Sequence, residues 1–162
     1  MLTSKQKADV VGSFKLVVPI AETAADLFYK RLFELAPQYR QLFKGDMASQ
    51  RKKLIGMLAF VVKALDWPED AWQQSVSTEE DLFLVVLALG RRHSELYRVP
   101  DESYAVVGEA LLWTLDYGLG EAFTAEVRDS WTRVYWVLSK TMKMGRCAVG
   151  NGSVVAQRAK HA

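Results

Sequence analysis

The sequence predicts an all-α domain, and three observations lead to this class. Apolar residues recur every three or four positions in the longer segments, which is the period of an α-helix. No segment shows the strict alternation of a half-buried strand, and neither a two-residue hairpin turn nor an internal repeat occurs. Prolines and glycines separate the periodic segments. A chain of 162 residues fits one domain with a sizeable core.

The N-terminal part contains two helical segments and a corner. Thr3, followed three residues later by Gln6, is a capping-box pattern, so a first helix is expected to begin near Ser4. A second helix is expected over residues 20–35, after which Pro37 breaks the period and leaves room only for a short helix up to Leu42. The next four residues, Phe43-Lys44-Gly45-Asp46, are typical of a corner.

Two further helices are expected around a polar connector. The period returns from about Ala48 to Leu65, with Gln50 on the same stripe as the apolar residues. Residues 66–77 follow as a connector with two tryptophans, long for a loop. The next helix begins near Thr78, and its apolar face ends in a histidine, His93.

The C-terminal part contains two more helices. Asp101 is expected to cap a helix that runs to about Tyr117 and is stopped by Gly118 and Gly120. The last helix is expected to start near Thr124. Its apolar stripe consists of Val127, Trp131, Val134, Tyr135, Leu138 and Met142.

Charge placement divides the chain into a body and a tail. The formal net charge is +2, but residues 145–162 contain three basic residues and no acidic one. Residues 1–144 carry 18 basic and 19 acidic residues, so the excess of positive charge belongs to the tail. We therefore predict a domain over residues 1–144, a flexible basic tail over 145–162 and no nucleic-acid partner.

Cysteine usage and hydropathy indicate a cytoplasmic protein. Cys147 is the single cysteine, so the chain cannot form an intramolecular disulfide. The longest apolar runs are far too short to span a bilayer, and the N-terminus lacks the apolar core of a signal peptide. We expect no stable membrane association.

His93 is the residue with the clearest chemical potential. The only other histidine is His161, near the end of the predicted tail. An imidazole at the end of an apolar helix face can hold a metal with limited access to water. The same position also suits a core histidine whose ring nitrogens are satisfied by hydrogen bonds, so this segment alone leaves both interpretations open.

The order of several short motifs resembles that of the globins, over about residues 3–144. The resemblance is to bacterial single-domain globins, to the haem domain of flavohaemoglobins and, in the C-terminal half, to neuroglobin. The motifs that carry it are Leu27-Phe28-Tyr29-Lys30-Arg31-Leu32-Phe33, Pro37 to Phe43, Gln50-Arg51-Lys52-Lys53-Leu54, Leu89-Gly90-Arg91-Arg92-His93, Val107-Gly108-Glu109-Ala110-Leu111-Leu112 and Phe123 to Tyr135.

The resemblance implies a fold of about seven to eight helices packed around haem b. It implies that His93 is the proximal iron ligand and that Tyr29 and Gln50 are the distal polar residues. For Gln50, an exposed position at the start of a helix is an equally good interpretation. The other haem-contact positions that it implies are Phe43, Leu54, Leu89, Arg92, Val99, Tyr104 and Val107.

Four features depart from the pattern of these globins. The spacing from Gln50 to His93 is longer than expected, and the excess falls in the 66–77 connector. Neuroglobin has a distal histidine where this chain has Gln50. The flavohaemoglobin-like proximal set includes a late carboxylate, whereas no acidic residue follows Asp129. No Gly-rich dinucleotide motif is present, so redox turnover would need an external reductase.

These observations predict a haem protein that reversibly binds dioxygen and other diatomic gases, including carbon monoxide and nitric oxide. One alternative is a nitric oxide dioxygenase supplied by an external reductase. Another is a gas sensor that acts through a partner. A helical interaction module without haem is a rival from a different class. We expect a monomer or a weak homodimer.

Overall fold

Six α-helices, α1 to α6, make up most of the computed structural model, which describes residues 2–65, 78–95 and 99–158. In chain order the helices are Ser4–Val17, Ala21–Leu35, Met47–Leu65, Thr78–Glu95, Ser103–Leu119 and Ala125–Arg158. Short 3₁₀ helices occupy Val18–Ile20, Pro37–Leu42 and Gly120–Ala122. The described residues contain no strand, so the all-α prediction is confirmed, although with fewer α-helices than the seven to eight expected.

The N-terminal cap of α1 is the one that the sequence predicted. The main-chain N–H of Gln6 donates to the Thr3 hydroxyl at 3.2 Å, and the Gln6 side chain accepts from the Thr3 N–H at 3.0 Å. This reciprocal pair satisfies two of the donors that a helix start leaves unpaired. The local sequence therefore accounts for where α1 begins.

The start of α5 differs from the prediction that Asp101 caps it. The cap position is Glu102, whose backbone is already helical and whose side chain makes no capping bond. The Ser103 N–H and hydroxyl both bond to the Pro100 carbonyl, so a tight turn leads straight into the helix. At the other end α5 passes through Gly118 and stops at Gly120, whose φ of +53° favours glycine.

Helix α1 is fixed to α6 by buried polar contacts as well as by apolar packing. The indole N–H of Trp131 donates to the Ser13 hydroxyl at 2.9 Å, and both residues are buried. One turn away, the Ser130 hydroxyl donates to the Asp9 carboxylate at 2.9 Å. The remaining helices pack around this pair, with α2 lying against α3 and α5. Each buried donor here has a partner, as a stable core requires.

Helices α4 and α6 make the most extensive contact in the described part of the chain. Two glycines lie at their crossing, Gly90 on α4 and Gly145 on α6. A methyl group on Gly90 would overlap the main chain of Met142, and one on Gly145 would overlap the main chain of Leu87. The absence of side chains at these two positions lets the backbones approach.

The helical backbone of α6 continues to Arg158, beyond Gly145, where the apolar period ends. Gly145 itself is buried against α4. Gly145, the first residue of the predicted tail, thus packs on α4, and the domain over residues 1–144 and the flexible basic tail over 145–162 otherwise stay predictions. The 66–77 connector lies outside the described residues. No helix among those that are described has the length and apolar character needed to cross a membrane.

Candidate functional site

His93 lies in the last turn of α4, and its ring is oriented by the helix itself. The Nδ1 atom is 2.8 Å from the main-chain oxygen of Leu89, one turn earlier. A carbonyl oxygen can only accept, so Nδ1 carries the proton and Nε2 carries the lone pair. The Val99 N–H donates to the His93 carbonyl at 2.9 Å, so Val99 lies close to this residue. The imidazole therefore presents its metal-binding nitrogen in a fixed tautomer.

Tyr29, the second candidate site residue, is a buried polar side chain on α2. It is 5 % exposed and lies among three phenylalanine rings, with centroid distances of 5.0 Å to Phe28, 6.0 Å to Phe33 and 5.4 Å to Phe43. Its hydroxyl donates to the main-chain oxygen of Gln50 at 3.4 Å. Burial raises the pKa of Tyr29 above its ordinary value, and the hydrogen bond to Gln50 offsets this only in part. The phenol stays protonated and can donate.

Gln50 and Leu54 occupy successive turns at the start of α3. The Gln50 side chain is half-buried, and Leu54 is half-buried against the core. Residue Asp46 determines where this helix starts, because its carboxylate accepts from the N–H groups of Ala48 at 3.1 Å and Ser49 at 2.9 Å. These two bonds lower the pKa of Asp46. Sequence reasoning placed Asp46 in a corner and missed its capping role, although Asp is a preferred capping residue.

The positions expected on the proximal side differ in burial. Tyr104 is buried, Val107 is half-buried against the core, and Leu89 and Val99 are half-buried. Arg92 is exposed. The Tyr135 hydroxyl donates to the Tyr104 main-chain oxygen at 2.5 Å, a contact that sequence analysis did not anticipate. Burial is the main cause that raises the pKa of Tyr135.

The candidate site residues lie on helices that pack on different neighbours. Helix α4, which carries His93, packs mainly on α6, whereas α3, which carries Gln50 and Leu54, packs mainly on α1 and α2. The two helices touch each other only sparsely. An imidazole in the tautomer that binds metals, and a buried phenol with aromatic neighbours, are side chains suited to a planar cofactor that carries a metal.

Comparison with known proteins decides the family. The family model described as Globin matches residues 26–142, most of the chain. The chain belongs to the globin family. Its relatives include the neuroglobin of Tetraodon nigroviridis, 32 % identical over 151 residues, which cover 89 % of this chain and 92 % of that protein. The neuroglobin of Danio rerio is 33 % identical over 127 residues, covering 74 % and 76 % of the two chains.

This globin is also similar to part of a larger protein. It is 29 % identical over 135 residues to the flavohemoprotein of Rhizobium meliloti (strain 1021), covering 83 % of this chain and 31 % of that protein. The resemblance to both neuroglobins and flavohaemoglobins is therefore confirmed, as is the globin fold. Membership of the family identifies the cofactor class as haem and the general property as gas binding.

Proposed function

We propose that His93 is the proximal ligand of haem b and that this globin reversibly binds dioxygen, carbon monoxide and nitric oxide in the cytoplasm. The bond between Nδ1 of His93 and the Leu89 carbonyl carries the proposal, because it fixes the ring orientation and the tautomer in which Nε2 has the lone pair that can bind a metal. When bound, the haem supplies an iron atom that takes a diatomic gas. The protein supplies the orientation of the imidazole, the apolar walls and the distal donor.

The proposed distal side uses a protonated phenol in an apolar setting. Tyr29 is buried among aromatic rings, and its bond to Gln50 is long enough to be weak. A polar diatomic molecule in this pocket accepts a hydrogen bond from Tyr29 more readily than a less polar one does. The amide of Gln50 is the second donor in this proposal. Phe43 and Leu54 exclude water, which strengthens both interactions.

An oxidative enzyme is the second candidate, supported by the similarity to a flavohemoprotein. Nitric oxide dioxygenation would need an external reductase and is favoured by a carboxylate that makes the proximal imidazole more electron-rich. The proximal tyrosine, Tyr104, instead has a cation above its ring, the Lys143 ammonium at 5.2 Å from the centroid. No acidic residue follows Asp129 in the sequence, so the last helix does not supply such a carboxylate beyond that point. This favours gas binding over oxidative chemistry.

The absorption spectrum of the purified protein tests the proposal. A Soret band that shifts when carbon monoxide is added to the reduced protein is expected. His93→Ala should lose tight haem binding, whereas the matched control His161→Ala should keep the normal haem content. No Soret band after addition of hemin would favour a helical interaction module. Normal haem content and an unchanged ferrous spectrum in His93→Ala would show that another residue holds the iron.

A further inference from the structure

The outward side of α6 carries an exposed tryptophan between two cations. Trp136 is 48 % exposed, and the Arg133 guanidinium and the Lys140 ammonium lie 4.7 Å and 4.8 Å from its ring centroid. Lys143 and Met144 continue the same exposed side one turn later. We call these five residues the α6 basic face. Protein-binding surfaces are enriched in Trp and Arg, and these residues contribute much of the binding energy. The α6 basic face has this composition.

The positive charge of the α6 basic face is not neutralised within the described part of the chain. None of the ion pairs there involves Arg133, Lys140 or Lys143. By contrast, Arg128, two turns closer to the start of α6, is paired with Asp116 at 2.8 Å. The sequence after Asp129 contains no acidic residue, so α6 cannot supply a counter-charge beyond that point. An acidic surface is the complement of such a face.

The α6 basic face borders the proposed proximal side of the site. The Lys143 ammonium lies 5.2 Å from the ring centroid of Tyr104, and Tyr135, next to Trp136 in the chain, donates to the Tyr104 carbonyl. Met142, next to Lys143 in the chain, lies against Gly90, three residues before His93. A protein that docks on this face therefore comes close to the helix that carries His93. Among acidic partners, this position favours one that exchanges electrons with the cofactor.

We infer that the α6 basic face docks an acidic one-electron carrier protein that returns the iron of this globin from the ferric to the ferrous state. The inference rests on the proposed function. One electron passes from the reduced carrier to ferric iron, and no bond forms or breaks. Trp136 supplies the contact area, and Arg133 and Lys140 supply the attraction that steers encounter.

The test measures binding and electron transfer with an acidic [2Fe–2S] ferredoxin as the probe. Arg133→Glu with Lys140→Glu reverses the charge and leaves Lys143, next to the proximal side, unchanged. Lys15→Glu with Lys30→Glu is the matched control, since both lysines are exposed and the net charge changes equally. Ferredoxin binding is measured by interferometry and ferric reduction by stopped-flow absorbance, each at low and high ionic strength.

We expect the Arg133/Lys140 variant to bind the ferredoxin at least about tenfold more weakly than the control variant at low salt, and to be reduced correspondingly more slowly. Salt should weaken binding to the wild-type globin, a readout that needs no variant. Reduction by dithionite, a small molecule, should be equal in all three proteins. A normal Soret band and dithionite reduction show that the proposed function holds even if docking fails.

Three results would overturn the inference. The first is that the two double variants bind the ferredoxin equally, and the second is that salt leaves wild-type binding unchanged. The third is that the ferredoxin neither binds nor reduces the wild-type globin.

Sedimentation with vesicles containing phosphatidylserine is a separate experiment. Vesicle binding that the Arg133/Lys140 variant loses, without any ferredoxin binding by the wild type, would assign the face to an anionic membrane instead.

Discussion

The hydroxyl of Tyr29 lies 3.4 Å from the main-chain oxygen of Gln50, so the proposed distal donor is anchored to the first turn of α3 by a long hydrogen bond. A bond of this length is weak and easily exchanged for a better acceptor. Because Tyr29 is buried, the hydroxyl is poorly satisfied without a ligand. We therefore expect Tyr29 to stabilise a polar ligand more than a phenol that already had a strong hydrogen bond would.

Removing the distal donors should speed the release of dioxygen. A hydrogen bond to a partly charged acceptor in a dry site contributes about 1 to 3 kcal/mol, or about fivefold to a hundredfold in rate. Tyr29→Phe and Gln50→Leu should each release dioxygen faster in stopped-flow displacement, with much smaller effects on carbon monoxide. The double variant should be non-additive, because both donors serve one ligand. Changes of less than about twofold in both single variants would exclude these residues as the trap.

We expect His93 to bind the iron as a neutral imidazole. The Leu89 carbonyl accepts from Nδ1 of His93 but carries no charge, so it makes the ring less electron-rich than a carboxylate would. Resonance Raman spectroscopy of the ferrous protein should give an iron–histidine stretch in the range of oxygen carriers. A frequency in the peroxidase range would contradict this and would require a carboxylate near His93.

Alkaline pH should destabilise the fold in part through Tyr135. Its hydroxyl donates to the Tyr104 carbonyl, and burial raises its pKa above the ordinary value of about 10. A raised pKa means that its contribution to stability is complete below pH about 10 and is lost as the pH rises from there toward the folded-state pKa. Urea unfolding should show a decline of about 1.4 kcal/mol per pH unit in that range that is absent from Tyr135→Phe. Equal slopes in the two proteins would contradict the assignment.

The glycines at the α4–α6 crossing should not tolerate alanine. Gly90→Ala and Gly145→Ala each place a methyl group against main-chain atoms, which cannot rotate away, and should cost about 1 to 3 kcal/mol of unfolding free energy. Gly56→Ala on α3 is the matched control, since its methyl meets open space and alanine favours helix by about 1 kcal/mol. Urea unfolding measures the change in unfolding free energy for each of the three variants. Stabilisation in all three variants would mean that the two helices are further apart.

Truncation should locate the end of the packed body. A chain that ends at Gly145 keeps every described contact of α6 with α4 and should retain its haem content and its melting temperature to within a few degrees. A chain that ends at Thr141 lacks Met142 and Gly145, which meet Gly90 and Leu87. It should contain less haem and melt at a clearly lower temperature. Thermal melts with haem quantitation compare the two. A large loss in the longer chain would show that residues after Gly145 are packed.

The sequence predicted the elements with local signals better than the contacts between them. The Thr3 cap and the break at Pro37 follow from nearby residues alone, and both occur. The expected Asp101 cap does not, because the Pro100 carbonyl already satisfies the donors of Ser103. Periodicity predicted an apolar face on α4, and Val86 on that face is buried but Val85 is 40 % exposed. The Gly90 crossing gives no apolar signal, so it could not be predicted.

The candidate site was anticipated as a set of residues rather than as an arrangement. The resemblance named Tyr29, Gln50 and His93, and the structure shows what orients two of them. The Leu89 carbonyl holds the His93 ring, and the Gln50 main-chain oxygen accepts from Tyr29. Main-chain acceptors carry no side-chain identity, so no sequence pattern could identify them. The roles of these residues stay predictions for the experiments above.

The glycine crossing also has a practical consequence for how the protein is handled. A fusion partner or an affinity tag joined directly after Gly145 would lie against the α4–α6 crossing, whereas the predicted flexible tail would separate a tag joined after residue 162 from it. Bulk placed at the crossing would meet main-chain atoms, because neither glycine has a side chain that could move aside. Ligand-binding constants are therefore best measured on protein whose tag is at the N-terminus, because α1 is fixed to α6 at Ser13 and Trp131 rather than at this crossing.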